Sequence, residues 1–224
     1  MDRIENDSRT GVGFGRVSGR RGLQGKSINP VATHHGLERP IFKWSSDSGE
    51  QNVPMPELPK FVIRNPDPPF GTQSLRSGFS VRLALEIFSP SPTVIAENSG
   101  QDGSCFRLLF TEKSTLRIEL DDSQTSFYAE SDPFDHDTTL HSIIINVDGG
   151  SNTVSFFRNG TINDGGDTRQ YGWRRFSPYY RNEFLGKSLV FHDAKDIHTK
   201  SMEIFGRILT AAEIVELDKT SLKN

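Results

Sequence analysis

Apolar and polar residues begin to alternate regularly at Phe79. Phe79, Val81, Leu83, Leu85 and Ile87 fall on one side of the chain, with Ser80, Arg82, Glu86 and Phe88 on the other. A period of two over that length predicts a half-buried strand. Shorter pieces of the same kind follow. Strands are predicted over 93–96 and 105–110, separated by a Gly-rich turn at 98–103, and over 116–121, where Leu116, Ile118 and Leu120 alternate with Arg117, Glu119 and Asp121. Two further strands, 141–147 and 153–158, flank the turn Asp148-Gly149-Gly150-Ser151-Asn152. Asn159-Gly160 ends the second of these with a pair that tolerates positive φ, a strong hairpin signal. The last strands are predicted over 187–192 and 201–205. Short strands at this spacing predict an all-β fold, two antiparallel sheets packed as a sandwich. Thr210-Ala211-Ala212-Glu213 reads as a capping box that opens a C-terminal helix ending near Lys219, with Ile214 and Leu217 on its docking face.

Residues 1–75 differ in kind. Gly11, Gly13, Gly15, Gly19, Gly22 and Gly25 break the first part, and Pro54, Pro56, Pro59, Pro66, Pro68 and Pro69 the second. Little there alternates or repeats at helical spacing, so an irregular, extended arm is expected over 1–75 and the sandwich over 76–224. Within the arm, Phe61-Val62-Ile63 is a candidate edge strand. Composition agrees with this division: the 16 Phe and 20 Gly suit Phe-rich strands joined by tight turns. The net charge of −3 points to no polyanionic partner. Within residues 1–40 seven Lys or Arg outnumber four Asp or Glu, too small an excess to argue for nucleic acid. Neither a membrane span nor a secretory signal is legible, and a single cysteine, Cys105, allows no internal disulfide.

Two stretches carry a family resemblance. The first runs from Leu140-His141-Ser142-Ile143-Ile144-Ile145-Asn146-Val147-Asp148-Gly149 through Thr153-Val154-Ser155-Phe156-Phe157-Arg158-Asn159-Gly160. The second is Glu203-Ile204-Phe205-Gly206-Arg207-Ile208-Leu209-Thr210-Ala211-Ala212-Glu213-Ile214. They resemble the central hairpin and the final strand-to-helix turn of laminin-G-like and pentraxin-like domains, with Leu140 standing where that family usually has Trp. The resemblance covers roughly residues 76–218 and implies a concanavalin A-like jelly roll used in adhesion, glycan binding or assembly. It also implies that calcium can sit at the sandwich rim. Asp148, Asp164 and Asp167 are the loop acids offered for it, with Asp193 and Asp196 as further rim acids, though none sits at a diagnostic spacing.

Other chemistry is thin. A retaining glycosidase needs two carboxylates about 5–5.5 Å apart. The nearest candidate is Glu119 with Asp121, and Ser123 occupies the third position of that face. Gly25-Lys26-Ser27 resembles the end of a phosphate loop, but Arg20 stands where the first glycine belongs and no apolar strand precedes it. The histidines form no zinc spacing.

The most distinctive surface candidate is the segment 169–182, where Tyr171, Trp173, Tyr179 and Tyr180 alternate with Arg174, Arg175 and Arg181, and Phe176 lies between. Such residues stack on sugars, pair with anions or anchor protein contacts. Equally, the segment can cross the sandwich and cover an open end of its core with these rings. The leading expectation is a non-catalytic structural or binding module. In that reading the N-terminal arm ties it to other protein subunits of a large assembly, such as a virion or phage particle. The alternative is a lectin-like, glycan-binding module, calcium-dependent or not.

Overall fold

Alternation sets the architecture. In the computed structural model, β3 (Gly78–Ile87) turns Phe79, Val81, Leu83, Leu85 and Ile87 into the core, all at most 1% exposed. The residues described are 39–61, 78–89, 91–100, 103, 105–135, 139–166, 171–182 and 186–221. Among them the other strands are β1 (Phe42–Ser45), β2 (Asn52–Pro54), β4 (Thr93–Ser99), β5 (Cys105–Phe110), β6 (Leu116–Asp121) and β7 (Ser126–Glu130). They continue with β8 (Leu140–Asp148), β9 (Thr153–Arg158), β10 (Thr161–Ile162), β11 (Trp173–Arg175), β12 (Ser188–Phe191) and β13 (Ile197–Phe205), followed by helix α1 (Ala211–Ser221). They form two antiparallel sheets. Sheet A has the order β1-β13-β3-β8-β9-β10, with β11 also paired to β9, and sheet B the order β2-β12-β4-β5-β6-β7. The inner faces meet in one core cluster, so the chain is an all-β jelly-roll sandwich with a short C-terminal helix.

The run Ser142-Ile143-Ile144-Ile145-Asn146-Val147 breaks the alternation because β8 is covered on both faces. Ile143, Ile145 and Val147 enter the main core, while Ile144 joins Phe205, Leu209, Ile214 and Leu217 beneath α1. A small polar lock pins the chain entering that helix. Leu209 N donates to Ser80 Oγ at 3.0 Å, Ser80 Oγ donates to Asn146 Oδ1 at 2.6 Å, and Asn146 Nδ2 donates to Leu209 O at 2.9 Å. The capping box forms as expected: Thr210 N donates to Glu213 Oε2 at 2.9 Å and Glu213 N to Thr210 Oγ1 at 3.4 Å. Arg207 grips the same carboxylate at 2.5 and 2.9 Å and holds its pKa down at about 2, with Thr210 adding to the effect. Asn159 and Gly160 adopt φ of 51° and 76° between β9 and β10, the hairpin geometry their identities predict.

Part of the expected arm belongs to the sandwich. β1 pairs with β13 and β2 with β12, so residues 42–54 extend one edge of each sheet. Both strands are too short to show a period, which is why the sequence left them unmarked. Trp44 stacks on Phe191 with centroids 3.8 Å apart, and Val53 and Leu58 are buried. Of the candidate edge strand at 61–63, only Phe61 lies within the described residues; it is not in a strand but packs on Phe79, Phe176 and Tyr180. Among the described residues no helix is long and apolar enough to cross a membrane.

Candidate functional site

The segment 171–182 divides between core and surface. Gly172 starts it: its φ is +91°, and a Cβ there would collide with the backbone of Asn163 and Gly165. That close approach seats Gly172 between the sheets, with its N–H donating to Glu130 O at 2.8 Å and its carbonyl accepting from Phe156 N at 3.0 Å. β11 then pairs with β9 in the register Trp173↔Ser155, Arg174↔Val154 and Arg175↔Thr153. Val154 and Phe156 point into the core, so Thr153, Ser155 and Phe157 point outward, and Trp173 and Arg175 point outward beside the first two. Ile162 pairs with Phe157 on the same edge. The result is a row of Ile162, Trp173 and Arg175 at steps of about 7 Å, two residues of strand rise. Ile162 and Trp173 are 53% and 54% exposed. Tyr179, in the turn that follows, is 69% exposed, whereas Tyr171 is half-buried ahead of Gly172.

Two of the six residues singled out in this segment do something else. Tyr180 is only 2% exposed, a core ring against Phe61 and Phe176, and burial pushes its phenol pKa upward. With Phe176, which also meets Phe127, it closes one end of the core. The end-covering alternative is therefore right for these two rings. Arg174, out of phase with its neighbours, turns toward sheet B. Its guanidinium lies 4.4 Å from the Tyr128 centroid and 5.9 Å from that of Phe127, and Nη1 donates to Tyr128 O at 3.3 Å. It clips β11 to β7 across the side of the sandwich. Period two within a three-residue strand separates these roles, but nothing in the sequence marked 173–175 as a strand.

The acids offered for calcium are placed as follows. Asp148 caps its own hairpin, accepting from Gly150 N at 2.7 Å, Ser151 N at 3.3 Å and Ser151 Oγ at 2.8 Å. Asp164 accepts from Gly166 N at 2.9 Å and lies near Asp132, whose pKa is raised by burial first and by Asp164 second. Asp167 lies outside the described residues. Asp193 pairs with Gln51 and Asp196 with Ser91. Among the described residues no three His, Cys, Asp or Glu side chains converge on one point.

The outer face of sheet B carries the acids considered for hydrolysis. Glu119 is held by Arg107 at 3.1 Å and by Arg117 at 3.4 Å; Arg107 also binds Glu97, and Arg117 also binds Glu130. Three of these pairs are cross-strand neighbours and Arg117 lies two residues from Glu119 on β6, so the charges alternate on this face and neutralise one another. Asp121 accepts from the Cys105 thiol at 3.0 Å, and Ser123 sits in a turn rather than on the strand face.

No protein family matches the sequence. No curated protein sequence matches it either. Among solved structures, the binding domain of botulinum neurotoxin serotype D is similar at 15% identity, with a TM-score of 0.48 over 65% of this chain and 36% of that one. The botulinum neurotoxin type G receptor binding domain gives 16% identity and 0.46 over 64% and 38%. The CBM40 of the Ruminococcus gnavus IT-sialidase, bound to α2,3-sialyllactose, gives 10% identity and 0.49 over 80% and 99%. The chain thus spans under two fifths of the toxin domains. It is an antiparallel β-sandwich on the strength of its own strand pairing.

Proposed function

We propose that the chain is a non-catalytic binding module that docks a protein partner through the exposed edge of sheet A. In this reading it is a subunit of a larger assembly such as a virion or phage particle. The observation that carries the reading is the row Ile162, Trp173 and Arg175, held outward by strand register rather than by a loop. Trp, Tyr and Arg dominate the energetic centres of protein interfaces. Anchors fixed on paired strands lose little freedom on binding, which favours affinity. The anchoring arm in this reading is the segment 1–38. The original span of 1–75 includes β1, β2 and Phe61, whose removal would strip both sheet edges and part of the core.

The test is the native mass, by light scattering, of the full chain, of Trp173→Ala and of a chain lacking 1–38. A large complex that collapses on arm removal and weakens in Trp173→Ala, with folding intact, supports the proposal. A monomer in all three preparations refutes it.

A further inference from the structure

The row on the edge of sheet A also constrains the chemistry of what docks there, because its three members differ. Ile162 and Trp173 offer apolar surface, and Arg175 ends the row with an exposed charge. Four other guanidinium groups of the sandwich are neutralised in place: Arg82 by Glu203, Arg107 by Glu97 and Glu119, Arg117 by Glu130, and Arg207 by Glu213. Arg175 has no ion-pair partner among the described residues. The acid in its line across the sheet, Asp148, is reached through Thr153 and so lies two strand spacings away, about 10 Å. That carboxylate is already taken by Gly150 and Ser151. The neighbouring Arg174 lies on the Tyr128 ring and meets no carboxylate among the described residues. The edge therefore keeps local positive charge on a chain whose net charge is −3.

Spacing supplies a second constraint. Steps of about 7 Å along the row equal two residues of extended chain. Alternate side chains of an extended segment lying along it therefore meet Ile162, Trp173 and Arg175 in turn. A helix repeats its face about every 5.4 Å and is about 3 Å out of step by the third position. A polyphosphate backbone needs cations in series, whereas this row offers two apolar side chains and one cation.

We infer that the partner presents an extended segment in which two apolar residues and an Asp or Glu stand at alternate positions, the apolar pair on Ile162 and Trp173 and the carboxylate on Arg175. This inference rests on the docking proposal above. A carboxylate binds a guanidinium through two parallel hydrogen bonds, which fixes the direction of the segment along the row. Covering by the partner removes water from that pair, so a wrong charge at the acidic position is rejected rather than tolerated.

The test uses the native complex carrying the full chain with a photo-crosslinking benzoylphenylalanine at position 162, and reads the captured segment by mass spectrometry. A segment with an acid two and four residues from apolar positions is expected. Arg175→Glu should weaken assembly about tenfold or more in light scattering, the loss of a charge-assisted pair, with an unchanged thermal melt. Replacing the captured acid by Lys should restore assembly with Arg175→Glu and with no other form. If the wild-type chain is a monomer that captures nothing, the docking proposal fails and this inference falls with it. If the wild-type chain assembles but no segment is captured, the segment lacks that acid, or Arg175→Glu assembles normally, the inference alone is overturned. Sedimentation of the chain with vesicles of phosphatidylserine and phosphatidylcholine, lost in Trp173→Ala, would assign the edge to a membrane surface and overturn it too.

Discussion

Arg174 was read from the sequence as a partner-binding residue, and its geometry assigns it to the fold, so Arg174→Ala discriminates between the two. The substitution removes a guanidinium 4.4 Å from the Tyr128 centroid and a hydrogen bond of 3.3 Å to Tyr128 O. A cation–π contact at a partly exposed ring is worth about 0.5–1 kcal/mol. A long hydrogen bond from a charged donor adds about 0.5–1 kcal/mol. The sum, about 1.5 kcal/mol, should lower Tm by about 3–6 °C for a domain of this size. Tyr128 is itself 43% exposed and also lies under Arg117, at 4.6 Å, so its ring stays covered in part when Arg174 is lost. A double-mutant cycle of Arg174→Ala with Tyr128→Ala, read by thermal melts, isolates the coupling, expected at about 0.5–1.5 kcal/mol. Arg174→Lys should recover less than half of the loss, because an ammonium lacks the planar face that stacks on the ring. The assembly measured by light scattering should be unchanged. An unchanged Tm together with a lost assembly would refute the clip and return Arg174 to the docking surface.

Three further outcomes are expected. Ser80→Ala leaves Leu209 N–H and Asn146 Oδ1 without their buried partner and should cost about 2–4 kcal/mol, seen as a lower urea midpoint at constant slope. Glu213 is held at about 2 against an ordinary 4.5, so its ion pair with Arg207 stabilises fully above pH 4.5 and is lost as pH falls through about 2. Glu213→Gln should therefore cost about 1 kcal/mol at pH 7, after allowing for solvent screening, and should flatten the stability profile between pH 4.5 and 2 in thermal melts. Cys105 is 7% exposed, and burial with the nearby Asp121 carboxylate pushes its thiol up to about 12, so it should resist a thiol reagent at pH 8 until the protein is unfolded in guanidinium.

The long strands were legible because burial on one face leaves a period of two, as in β3 and β6, and because Asn159-Gly160 admits the backbone of a tight turn. β7 was missed although Phe127 and Ala129 alternate with Tyr128: five residues between a turn and a loop give the pattern too few repeats. β1, β2 and β11, at three or four residues, give it none. Their assignment depends on partners some 150 residues away in β13 and β12, or on the close backbone approach at Gly172, and no local pattern encodes either.

One of those short strands, β11, carries the candidate surface. Composition found the aromatic and arginine segment 169–182 but gave no phase, and phase decides everything there: Trp173 and Arg175 face water, Arg174 the neighbouring sheet, and Tyr180 the core. A single-residue slip of β11 on β9 would exchange these directions, turning Arg174 away from β7 and Trp173 toward it. The Gly172 contact with Asn163 and Gly165 opposes that slip, because no other residue fits where the strand enters. The opposite edge was less legible still, since Trp44 and Gln51 meet Phe191 and Asp193 only where distant parts of the chain come together. In this sandwich the long alternating strands specify the core, and short edge strands fixed by distant partners specify which side chains the sheet edges present.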